Sequence, residues 1–139
     1  MLPVTVTSGT TFRNTVEAGP HRLTADEPVE AGGTAEGPTP YDFLSAALGA
    51  CTSMTMRVVA IREKIPLEGA EIQVSNDRMY AKDCADCVTH NGYIHRFDVR
   101  IKLIGNLTEA QRQRLFSVAK RCPVAKTLTS EIRIEETLL

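Results

Sequence analysis

Between Pro40 and Lys64 the chain has almost no polar side. Phe43, Leu44, Ala46, Ala47, Leu48, Ala50, Cys51, Met54, Val58, Val59 and Ile61 fall on every face of a helical wheel, the pattern of a helix buried in protein. Thr39 as N-cap, Pro40 at the first helical position and Asp42 in the first turn mark its start. Arg62 and Lys64 complement its C-terminal dipole, and Pro66 ends it. Arg57 interrupts the apolar run and argues against a membrane span. Ahead of this helix, Val4 to Thr7 and His21 to Thr24 read as short strands. The aperiodic stretch from Asp26 to Pro38 reads as a mobile loop.

After the helix the period changes from helical to alternating. Ile72, Val74 and Met79 define a strand from Ala70 to Tyr80; Phe97, Val99, Ile101 and Leu103 define another from Ile94 to Ile104. An antiparallel pair is expected. Thr108-Glu109-Ala110-Gln111 is a capping box opening a second helix with the apolar stripe Leu115, Val118 and Ala119. Pro123 interrupts it and starts a short helical turn to Leu128, after which Glu131 to Glu135 alternates as a last strand. The fold class is α+β. A thin sheet covers only one side of an all-apolar helix, so the pattern predicts a homodimer that buries the other side.

The 139 residues, 42% of them hydrophobic, suit a single domain over 1–139. A net charge of -1 supplies no general basic field, and with 5% aromatics and no Trp, neither nucleic acid nor an anionic membrane is an expected partner. The N-terminal residues show no basic region followed by an apolar one, so a cytoplasmic location is expected. In a reducing compartment the four cysteines are more often catalytic, redox-active or metal-binding than structural. There is no Gly-rich phosphate loop and no Ser-His-Asp signature.

Cys51 sits mid-helix with Ala47, Leu48, Met54 and Thr55 as three- and four-residue neighbours, where a cysteine is ordinarily a small buried hydrophobe. Cys122 stands where one helix stops and Pro123 begins another, with Lys120, Arg121 and Lys126 nearby. On local grounds it is the more reactive of the two. Between the two long strands lies Asp83-Cys84-Ala85-Asp86-Cys87-Val88-Thr89-His90, with His95 close by. Three readings stay open for it: a zinc site through Cys84, Cys87 and His90, a redox dithiol or disulfide, and an exposed hairpin tip. Met54, Met56 and Met79 read as core filling, and Arg112, Arg114, Lys120 and Arg121 as a solvated helix face.

Two segments resemble one family. Gly37 to Thr55, with Cys51 inside it, is similar to the first-cysteine helix of the OsmC/Ohr proteins, and Ala119 to Leu128 is similar to their second-cysteine motif. The cysteines are 122 − 51 = 71 positions apart, and the likeness runs over roughly residues 21 to 138. The resemblance implies an intertwined homodimer with its central helices packed under antiparallel sheets. It implies a thiol peroxidase for organic hydroperoxides, in which Cys51 attacks and Cys122 resolves the sulfenic acid as a disulfide. It also implies regeneration by a dithiol such as a lipoylated protein, with no cofactor required. The attacking cysteine of that family is served by an Arg from the N-terminal strands or the following loop. Because Asp26 to Pro38 holds no Arg, Arg22 is the first candidate and Arg13 the second. The family places a Glu soon after the helix-opening Pro; here Tyr41 holds that place and Asp42 follows. The alternatives are a non-catalytic member of the fold whose pocket holds an acyl-like molecule, and an interaction protein with a zinc-stapled hairpin.

Overall fold

Three short strands open the chain: β1 (Val4–Ser8), β2 (Asn14–Ala18) and β3 (His21–Ala25). The computed structural model describes residues 2–139, which fall into two compact units, one running to Leu44 and the other Ser45–Leu139. In the first unit the three strands form an antiparallel meander in which Val16 of β2 lies between Val6 and Leu23. Strand β2 was not among the expected elements, because its five residues have only Val16 as a strongly apolar centre. Its marker is the turn that follows, where Gly19 takes φ 57°, a conformation that costs glycine nothing.

The stretch after β3, expected to be mobile, is a hydrogen-bonded loop built around Asp26. That side chain is buried and accepts from the Glu27 amide (2.8 Å), the Thr34 amide (3.2 Å), the Thr34 hydroxyl (2.7 Å) and the Glu36 amide (3.1 Å). Gly33 is required there, since a Cβ at that position would lie 1.9 Å from the Glu27 carbonyl oxygen. The long helix α1 (Pro40–Arg62) starts as expected: Thr39 Oγ1 accepts from the Asp42 amide (3.2 Å), while Asp42 Oδ2 accepts from the Thr39 amide (2.9 Å).

In the second unit, α1 lies on the hairpin of β4 (Gly69–Tyr80) and β5 (Tyr93–Ile104), paired in one register from Gly69 opposite Ile104 to Tyr80 opposite Tyr93. Gly49 faces this hairpin, where a Cβ would make ordinary van der Waals contact with Val74 (3.4 Å) and Ile72 (3.7 Å). The core consists of Met56 and Ala60 from α1, Ile65 and Leu67 from the connection, and Leu115, Val118 and Ala119 from α2 (Glu109–Ala119). Leu115 is fully buried, which contributes about 1.5–3 kcal/mol. The capping box of α2 is present in full, with Thr108 Oγ1 accepting from the Gln111 amide and Gln111 accepting from the Thr108 amide. Helix α3 (Pro123–Leu128) follows.

By length and composition α1 is apolar enough to cross a membrane, yet Leu48, Gly49, Thr52, Met56 and Ala60 are buried inside the protein. Arg57 donates to the Leu67 carbonyl, so its charge is held at the edge of the core. The helix ends two residues earlier than expected, at Arg62, because Lys64 takes φ 56°. The Ile65 amide then donates to the Ala60 carbonyl (2.9 Å), the hydrogen bond that closes a Schellman motif. The strand expected at Glu131 to Glu135 does not form: these residues are exposed and make no ladder among the described residues. Alternation of Ile132 and Ile134 is no substitute for a neighbouring strand to pair with.

Candidate functional site

The second cysteine motif meets α1 at Thr52, the residue after Cys51. Cys122 is fully buried and caps α3, its Sγ accepting from the Ala125 amide at 3.3 Å. The Thr52 hydroxyl, one residue beyond Cys51 on α1, donates to the same sulfur at 3.6 Å. Both cysteines are free thiols, and Cys51 is half-buried. One turn of α1 therefore presents Thr52 to Cys122 and the core, and Cys51 to a less covered side. Thr52 was not anticipated, since a single threonine in an apolar helix carries no pattern until Cys122 is packed against it.

A cavity of about 440 Å³ adjoins this junction, lined by Leu48, Thr52, His95, Phe97, Phe116 and Leu128 among others. Its wall is mainly apolar, because the helix-facing residues of β5 and the ends of α2 and α3 converge there. Lys120 stands at the rim with its Nζ 4.3 Å from the Phe116 ring centroid, an arrangement that keeps a cation over an aromatic face. His95, expected near a metal cluster, is part of this wall instead. The cavity can accept an apolar molecule of moderate size with a polar end directed at Thr52, Lys120 or His95.

The two candidate arginines lie in the first unit. Arg22 is exposed on β3, opposite Glu17 in the register. Arg13 pairs with Glu36 at 3.3 Å, and Glu36 belongs to the Asp26 loop through its amide. The hydrogen bonds of Thr34 and of the Glu36 amide hold the Asp26 carboxyl at about 2, below the usual 3.8.

At the far end of the β4–β5 hairpin, Cys84 and Cys87 are joined by a disulfide. The ligand atoms of Cys84, Asp86 and Cys87 lie within 4.8 Å of one another; His90, the third candidate ligand, is outside that group.

The sequence model of the OsmC-like protein family matches residues 33–137. This chain belongs to that family. No curated protein matches it in sequence. Among solved structures, it is similar to an OsmC-like protein from Mycoplasma pneumoniae (TM-score 0.72, 21% identity, covering 91% of this chain and 85% of that one). It is also similar to an organic hydroperoxide resistance protein OsmC from Legionella pneumophila (TM-score 0.65, 20% identity, 91% and 88%). A third is the organic hydroperoxide resistance protein OhrB of Bacillus subtilis (TM-score 0.63, 22% identity, 91% and 89%). At these identities the likeness establishes the α+β fold.

Proposed function

We propose that the protein is a thiol-dependent peroxidase that reduces organic hydroperoxides through Cys51 and Cys122. The observation that carries this reading is the Thr52 to Cys122 contact, which brings the second motif against the turn of α1 that holds Cys51. The adjoining cavity is apolar, as an alkyl or acyl hydroperoxide requires. The Cys51 thiol attacks the peroxide, releasing an alcohol and becoming a sulfenic acid; Cys122 displaces water from that sulfenic acid and closes a disulfide. A dithiol, such as a lipoylated protein, restores both thiols by exchange. The active assembly is a homodimer. The cation serving Cys51 is Arg22, with Arg13 as the second candidate.

The test is the rate of Cys51 sulfenate formation with an organic hydroperoxide and with hydrogen peroxide. The organic substrate reacts faster, and Arg22→Ala slows it roughly tenfold or more, corresponding to about 1.4 kcal/mol of transition-state stabilisation. Arg13→Ala is the parallel variant. A wild-type rate no faster than that of a free cysteine removes the peroxidase reading. Tyr41 at the place of the family's Glu favours a second reading, in which the same cavity retains an acyl-like ligand without turning it over.

A further inference from the structure

The connection between β4 and β5 is far longer than an antiparallel pair needs. Two residues suffice for such a turn, whereas residues 81–92 intervene here. Of these only Ala81 is buried; Cys84 and Cys87 are half-buried and the rest are exposed. The segment adds almost nothing to the core, and what it does contain is a Cys-x-x-Cys disulfide on a 3-10 turn, with the Cys84 amide donating to Ala81 (3.1 Å) and the Cys87 amide to Cys84 (3.4 Å).

We propose that Cys84 and Cys87 are a second, reversible thiol–disulfide centre, distinct from Cys51 and Cys122, that exchanges with an external dithiol. The disulfide is a poor staple for this hairpin. The base of the loop is already closed by the Ala81 amide to the Gly92 carbonyl (2.8 Å) and by the stacked rings of Tyr80 and Tyr93, 4.6 Å apart. A bridge stabilises mainly through the chain it encloses, and this one encloses only Ala85 and Asp86, close to the least a disulfide can constrain. The reduced form has a hydrogen-bond partner at hand. Asp86 Oδ1 lies 3.4 Å from Cys84 Sγ and accepts its hydrogen once the thiol forms. Both cysteines are half-buried in an otherwise exposed loop, in contrast to the fully buried Cys122.

The exchange is balanced by the dithiol. One of its thiolates attacks a sulfur of the Cys84–Cys87 bond, which breaks to give a mixed disulfide and one free cysteine. The second thiol of the reagent closes the reagent's own disulfide and releases the other cysteine. Two electrons and two protons pass to the protein, and the oxidised reagent reverses the process. A metal reading of the same residues is less well supported, because Cys84, Asp86 and Cys87 supply three ligands where structural zinc takes four.

The test uses the native chain in buffers of stepped ratios of reduced to oxidised dithiothreitol, quenched in acid, alkylated and mapped by mass spectrometry. Cys84 and Cys87 become labelled together along a two-electron curve that is the same from the reduced and the oxidised side, while circular dichroism stays unchanged. Labelling only after denaturant identifies a structural staple and overturns the proposal. So does a reduced pair that fails to re-form its disulfide, or one that holds an equivalent of zinc against oxidised dithiothreitol. Cys51 and Cys122 lie on other peptides, so the outcome is independent of the peroxidase reading.

Discussion

Asp26 and Cys122 show how single side chains organise this protein, and neither role follows from residue type. Asp26 is an ordinary loop acid in the sequence; in the structure four donors converge on it and hold it ionised. Its carboxyl at about 2 lies below the ordinary 3.8, so its stabilisation is complete above 3.8 and is lost as the pH falls toward 2. Protection against hydrogen exchange across residues 26–38, taken relative to the intrinsic rate at each pH, is therefore expected to fall through that window in the wild type. Asp26→Asn is expected to exchange faster at neutral pH and to show little further change in protection on acidification. Equal behaviour of the two proteins would remove the carboxylate from its role. Cys122 was legible as a cysteine at the start of a short helix, and it caps α3. What was hidden is that it is fully buried and meets Thr52, because the sequence gives no sign of which α1 residue packs against it.

Among the elements, α1, β4, β5 and α3 were readable to within two residues, and α2 from its capping box though not at its end, since each combines a sustained period with a capping or breaking residue. The misses were short segments. Asn14–Ala18 lacks a repeating apolar pattern and forms a strand because two neighbours pair with it; residues 131–135 have the pattern and pair with no strand among the described residues. The end of α1 is set by Lys64 in a left-handed conformation, which a side chain with a Cβ adopts at a cost. Lys64→Gly is expected to stabilise the protein by about 0.5–1 kcal/mol in urea unfolding. Destabilisation would show that the Lys64 side chain contributes more than its backbone strain removes.

At the scale of the whole molecule, α1 offers a reason for assembly. Ala47, Cys51, Met54, Val58 and Ile61 recur at alternating steps of four and three and form one stripe. Met54 is 68%, Val58 54% and Ile61 70% exposed in the single chain, a large apolar surface for solvent to meet. A second copy covering this stripe would also enclose Cys51. Light scattering is expected to give about twice 15.2 kDa, and Val58→Glu to shift the protein toward monomer. A wild-type monomer at micromolar concentration would leave the stripe without its partner and the shared-site reading without support. Family membership was legible because two cysteine motifs stand in order at a fixed separation, whereas which arginine would serve Cys51 was not, since Arg13 and Arg22 both read as solvated strand residues; in the structure Arg13 is tied to the Asp26 loop through Glu36. The most direct test of the central claim is disulfide mapping after one equivalent of an organic hydroperoxide is added to the reduced native protein. A Cys51–Cys122 bond is expected to form together with one equivalent of alcohol; alcohol production with Cys51 and Cys122 unbonded, or oxidation confined to Cys84 and Cys87, would contradict the peroxidase reading.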